Sequence, residues 1–181
     1  MNISTGCGPY TGAELDKYCS NPKRLLVIET KLGTIKLQLF DKIAPKHVEQ
    51  ITRLAGEHFY DGCTFHRCIK GFMIQGGDPN SKDADLTNDG VGGSEQKVKA
   101  EFSELHHARG IASMARASDP NSASSQFFIC HADAGFLDKQ YTIWGQVIEG
   151  CDVMDKIEEL PRLQGDNPGK AAEMTKVSVV E

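Results

Sequence analysis

Aromatic residues make up only 7% of the 181 positions, and a single tryptophan, Trp144, is among them. The chain has no run of lysine and arginine, and its net charge is −5. Nucleic-acid recognition draws on a basic patch or stripe, so no nucleic-acid partner is expected. No apolar run approaches the roughly 20 residues that cross a bilayer. The opening MNISTGCGPYTG lacks the charged segment and apolar stretch of a secretory leader. These absences set the expectation of a cytoplasmic protein with no membrane partner. Asn2-Ile3-Ser4 fits a glycosylation sequon, which without secretion reads as accidental. There is no internal repeat and no low-complexity segment.

Several chemistries lack their motifs. Gly90-Val91-Gly92-Gly93-Ser94 has no following Lys-Ser/Thr and comes after a loop, so it reads as a flexible turn rather than a phosphate cradle. No G-x-S-x-G elbow is present, and Ser124 and Ser125 read as turn hydroxyls. Cys63, His66 and Cys68 lie close in sequence and His106-His107 are adjacent, but neither group has the paired spacings of a structural zinc site. No metal is expected. The six cysteines are irregularly spaced in a chain too long for a small disulfide scaffold, so reduced thiols are expected.

What is present suits one soluble domain with one core. Residues 1–23 read as an extension, with a short helix from Gly12 to Cys19 opened by a Thr11-x-x-Glu14 capping box. Residues 24–181 form the main domain. Leu25–Thr30 and Thr34–Phe40 alternate as a hairpin across Gly33. Pro45 opens a helix that carries Val48, Ile51 and Ala55 on one face and stops at Gly56. Short strands follow at Thr64–Ile69, Met73–Gly76, Gly110–Ala115, Gln126–Cys130 and Thr142–Ile148. A second helix spans Cys151 to Leu160, and Met174–Val180 is the closing strand. Asp78–Gly93 is a long polar loop. Many short strands with two helices point to a mainly β barrel or sandwich capped by helices.

Two segments carry the chemistry. In Gln126–Cys130, alternation sets Gln126 and Phe128 on one face and Phe127 and Ile129 on the other; Met73 and Gln75 repeat the pairing. A face that mixes a large apolar side chain with an amide suits a groove with a few polar anchors. The string Phe65-His66-Arg67, three residues, Gly71-Phe72-Met73, one residue, Gln75-Gly76-Gly77-Asp78 closely resembles cyclophilins. So do Ser113-Met114-Ala115-Arg116-Ala117, Ser125-Gln126-Phe127-Phe128-Ile129, Gly90-Val91-Gly92-Gly93 and Phe136-Leu137-Asp138, and the likeness runs from about Leu25 to Val180.

The resemblance implies a closed eight-stranded antiparallel barrel with a helix over each end. It implies peptidyl-prolyl cis-trans isomerase activity on proline-containing peptides and proteins, without a cofactor, in a protein taken as a monomer. It makes Arg67 the catalytic arginine. Phe72, Met73, Phe128 and Leu137 become walls of a proline pocket, and Gln75 a side chain that bonds substrate backbone and steadies the arginine. Ala115 and Arg116 become a backbone-pairing segment, while His66, Gly90, Ala117 and Gln126 line the groove. The sequence departs from the family at three of these places. Phe136 stands where tryptophan is common and loses an indole donor, which weakens the expected cyclosporin binding. Tyr141 stands where histidine is common and keeps an aromatic wall. Arg116 stands where asparagine is common and is expected to favour acidic neighbours of proline. The same pocket would also serve a proline-peptide binding module, and six cysteines leave a redox-sensing reading to be tested.

Overall fold

A computed structural model describes residues 6–181; the Asn2 sequon and the first residues of the extension lie outside them. Eight antiparallel strands form one curled sheet: β1 (Leu25–Thr30), β2 (Gly33–Leu39), β3 (Arg67–Ile69), β4 (Met73–Gly76), β5 (Ile111–Met114), β6 (Phe127–Cys130), β7 (Ile143–Glu149) and β8 (Met174–Val180). Their order is β3-β4-β6-β5-β7-β2-β1-β8. The sheet is an open half-barrel rather than the closed barrel expected. Between edge strands β3 and β8 the described residues make one isolated bridge, Thr64 to Glu173. The expected strand from Thr64 shrinks to three residues, since Thr64–His66 leave the ladder. Short backbone bonds from Gly62 to Met174 and from Phe65 to Ala172 close the seam instead.

Alternation fills the inside of the curl. Leu26, Ile28, Ile35, Leu37, Ile74, Ala112, Met114, Phe127, Ile129 and Trp144 pack there without solvent. Trp144 meets Phe127 edge to face, on a strand as its place in the sequence implies. Helix α1 (Pro45–Gly56) buries Val48, Ile51, Leu54 and Ala55. Its N-cap residue, Ala44, has no side-chain acceptor, and Glu101 from a distant loop takes that role. The Glu101 carboxylate accepts from Lys46 N and His47 N, both at 3.0 Å, meeting the first-turn donors that a helix leaves unpaired. Helix α2 (Cys151–Glu158) follows Gly150, whose φ of +95° turns the chain; a Cβ there would lie 2.3 Å from Thr34 O. It ends two residues before the expected Leu160 stop.

The extension is a strap rather than a free tail. Its turn, Gly12–Lys17, is a 3₁₀ helix, and the Thr11 side chain makes no capping bond, so the capping box is not realised. Tyr10 and Tyr18 pack on Phe40, and Tyr10 exchanges two hydrogen bonds with the Gln146 amide. Cys7 is bonded to Cys151 at the start of α2. The expectation of reduced thiols throughout is therefore wrong for this pair: the fold brings two cysteines 144 positions apart to a Cα separation of 5.9 Å. Cys19, Cys63, Cys68 and Cys130 are free and buried. Burial pushes Cys63 up to about 11 and Cys68 and Cys130 up to about 12. These three are thiols near neutral pH, so none of them is the exposed, low-pKa thiol that the redox-sensing reading requires.

Candidate active site

The register of the sheet aligns four side chains on its outer face. Arg67 pairs with Gln75, Gln75 with Phe128, and Phe128 with Ser113, across β3, β4, β6 and β5. Because Ile74, Ile129 and Ala112 take the inner face, these four must point outward. A second apolar cluster forms around Met73, Phe128, Cys130 and Ala134, with Phe72, Ala115, Leu137 and Tyr141 against it.

The cluster frames a depression of about 160 Å³, lined by Arg67, Phe72, Met73, Gln75, Arg116, Phe128, Leu137 and Tyr141. It is small, apolar on most sides, and has the Arg67 guanidinium at its edge. Phe136 stands at the rim, 66% exposed, with its ring 5.4 Å from that of Phe72. A second depression lies beyond Gln75 and Arg116 and takes in Gly90, Ala115, Ala117 and Gln126. His66 and Gly90 line a third, on the far side of Arg67. All fourteen residues inferred from sequence thus fall on one face. The sequence reading missed Lys97, Ser94, Ser122 and Ser124 of the second depression. They come from loops without periodicity: Ser94 and Ser124 read only as turn residues, and nothing local marks Lys97 or Ser122.

The polar anchors form a relay. Arg67 Nη1 donates to Gln75 Oε1 (3.4 Å), Gln75 Nε2 donates to Gln126 Oε1 (2.9 Å), and Gln126 Nε2 donates to Gly92 O (2.7 Å). Among the described residues no carboxylate is paired with Arg67, so its charge is free for a substrate. Arg116 differs. It donates to the carbonyls of Gln140, Ala117 and Ser118 and covers the Tyr141 ring at 4.5 Å. What it offers a peptide is mainly charge, since most of its five donors are used.

Several supports were not legible in the sequence. His107 is fully buried. It stacks on Phe128 at 6.2 Å, and its ring nitrogens meet Asp138 Oδ1 (2.8 Å) and Ser113 Oγ (3.0 Å). Asp138 follows Leu137 directly, so one carboxylate ties a pocket wall to the ring behind the pocket floor. It also bonds His106 at 2.6 Å. The two histidines are thus spaced by carboxylates as structural groups. The Phe72 wall is held from α2: Gly71 N donates to Glu158 Oε1 (2.6 Å) and His131 N donates to Phe72 O (2.8 Å). The His131 ring in turn contacts Glu158 and Asp155. The Gly90–Ser94 turn is pinned rather than flexible, because Asp78 Oδ2 accepts from Gly90 N (2.5 Å) and Gly92 N (3.1 Å).

The histidines set a pH dependence of stability. Burial holds His47, His66, His107 and His131 below the ordinary histidine value. His106 is raised by its bonds to Asp138 and Asp133. Below about pH 6.5 the unfolded chain protonates the four buried rings while the folded chain resists. Their contribution is full above that pH and is lost as pH falls toward the folded values. His106 acts in the opposite sense and is one group against four. The thermal midpoint is therefore expected to fall between pH 7 and pH 5. Calorimetry across that range checks this; a flat or rising midpoint toward pH 5 would contradict it.

With this geometry in hand, comparison with known proteins places the chain. Residues 25–179 match the model of the family described as cyclophilin type peptidyl-prolyl cis-trans isomerase/CLD. The chain belongs to that family and is a peptidyl-prolyl cis-trans isomerase acting on proline-containing peptides. A protein of Brucella suis biovar 1 named "Probable peptidyl-prolyl cis-trans isomerase" is 42% identical over 153 residues, covering 82% of this chain and 78% of that one. Peptidyl-prolyl cis-trans isomerase-like 3 of Rattus norvegicus is 41% identical over 141 residues, 75% of this chain and 83% of that one. The cyclophilin type isomerase of Cryptosporidium parvum, solved in the presence of the dipeptide Ala-Pro, superposes with a TM-score of 0.78 at 32% identity. The match covers 87% of this chain and 99% of that one.

Proposed function

We propose that Arg67 drives rotation about the Xaa-Pro bond while the pocket of Phe72, Met73, Phe128 and Leu137 grips the proline ring. The observation that supports this most is a guanidinium with no carboxylate partner among the described residues, at the edge of a small apolar depression and in register with Gln75. Rotation is slow because it breaks amide conjugation, with a barrier of about 18–20 kcal/mol. Acceleration of about 10⁵-fold requires lowering that barrier by about 7 kcal/mol.

In the twisted amide the proline nitrogen regains a lone pair. Arg67 remains charged and carries several donors. A bond to that nitrogen is stronger in the twisted state than in either planar one, which is the condition for catalysis. The apolar wall excludes water and strengthens the field of the guanidinium. Gln75 and the Ala115–Arg116 backbone hold the chain on the other side of the rotating bond. NMR exchange on an Ala-Pro peptide tests this reading: fast cis-trans exchange is expected at catalytic protein concentration. Folded wild-type protein that binds the peptide without accelerating exchange would turn the reading to a binding module.

Cyclosporin binding follows the rim. Phe136 offers a ring without an N–H donor, so weak inhibition is expected, strengthened about tenfold or more in Phe136→Trp. Equal inhibition of the two proteins would sink this. A monomer is expected, which sedimentation velocity checks. The Cys7–Cys151 bond supports an oxidising compartment over the cytoplasm expected from sequence, because cytosolic thiols are kept reduced.

A further inference from the structure

Three depressions meet at Gln75. The first holds the proline in the reading above, and the second continues the groove toward Arg116. The third, of about 440 Å³, lies on the other side of Arg67 and has an unusual wall. His66 is 5% exposed, and its ring nitrogens bond no other side chain among the described residues, the Thr64 backbone being the one group set against the ring. Its Nε2 lies beside Gly90, 3.6 Å from where a Cβ on that glycine would stand, on the lining of the depression. Asp89 uses one oxygen: Oδ2 accepts from Asn167 Nδ2 (2.7 Å), while Oδ1 is buried and unpartnered. Asp166 is fixed beside β3, where its carbonyl accepts from Cys68 N (2.9 Å). Its carboxylate has no hydrogen bond or ion pair among the described residues.

The depression therefore carries more negative than positive charge. Two carboxylates face one cation, Arg67, whose bond goes to Gln75. His66 is kept neutral by burial, leaving one ring nitrogen as a further acceptor. A buried acceptor left unpaired is costly, and the complementary ligand carries positive charge and several donors. Lysine and arginine side chains carry both and no acceptor. An extended chain advances about 3.3 Å per residue, so a neighbour of the bound proline reaches across Arg67.

We propose that this third depression is a subsite for a positively charged side chain of the substrate, lysine or arginine, within three residues of the isomerised proline. The proposal rests on the isomerase reading and names the side chain favoured on the Asp89 side of Arg67, a depression that Arg116 does not line. Asp89 Oδ1 and the Asp166 carboxylate take the charge. His66 Nδ1 or Nε2 accepts a further hydrogen bond.

The test is a set of peptides around one Ala-Pro bond, each with a single lysine, norleucine or glutamate at one of the three positions on either side. kcat/KM is read by NMR exchange and Kd by titration. At one position lysine is expected to exceed norleucine by about five- to tenfold, mostly through binding, and glutamate to fall below it. The advantage should shrink with added salt. It should also drop to within twofold in Asp166→Asn and in Asp89→Asn, with the norleucine peptide turned over as by wild type. Asp89→Asn retains an oxygen for Asn167, and Asp166 is exposed, so at least one variant folds. Normal turnover with no preference for lysine at any position would overturn the subsite and leave the isomerase standing. A preference unchanged in both variants would also overturn it, because ordered water would then satisfy the depression. If no peptide is turned over, the isomerase reading falls, and the Kd ratio of lysine to norleucine peptides still decides the subsite.

Discussion

Arg67→Ala is expected to lower kcat/KM for a short Xaa-Pro peptide by about 10²–10³-fold, the range found when one donor aimed at transition-state charge is removed. The fold should survive. Arg67 is exposed, its described bond is the long one to Gln75, and no ion pair is lost with it. A thermal midpoint close to wild type would separate lost chemistry from lost structure. Arg67→Lys should recover only part of the rate, because a single ammonium does not reproduce the planar fork that can reach the nitrogen and the neighbouring carbonyl together. Near-wild-type turnover by Arg67→Ala would remove the central element of the mechanism.

Asp78→Ala is expected to have the largest effect on stability, lowering it by about 3–5 kcal/mol. The carboxylate is fully buried and accepts from three backbone N–H groups, those of Asn80, Gly90 and Gly92. Each donor left unpaired costs about 1–3 kcal/mol, and alanine offers none of them a partner. For a chain of this size that loss corresponds to a midpoint lower by about 6–20 °C. KM should rise as well. The Gly90–Gly92 turn receives the Gln126 amide at the end of the relay from Arg67, so loosening the turn frees Gln126 and then Gln75. Thermal unfolding and steady-state kinetics of the same variant check both parts. A midpoint within 2 °C of wild type would mean that water replaces the carboxylate.

The wall around Phe128 illustrates how far local pattern reaches. Alternation in Gln126–Cys130 placed Phe128 opposite Phe127 and Ile129 from sequence alone, because side chains on a strand switch faces with period two. The same rule located Met73 and Gln75. It could not join the strands. That Arg67, Gln75, Phe128 and Ser113 form one row depends on the pairings β3–β4, β4–β6 and β6–β5, and β6 follows β4 by some fifty positions. Nor could it reveal His107 behind Phe128, Glu101 capping α1 or Glu158 holding Gly71, since each acts on a partner remote in the chain.

By itself the sequence determined the mainly β class and the two helices, and it singled out the fourteen residues that the fold gathers on one face, because periodicity and a long specific motif are local properties. Only the tertiary structure decided that the barrel stays open, since closure depends on whether two edge strands far apart in the chain come into register. Only it joined Cys7 to Cys151, a pairing fixed by where the strap lands on α2. It alone set Asp89 and Asp166 beside His66 on the far side of Arg67, because a depression built from three separate loops exists only once those loops have been brought together by the sheet.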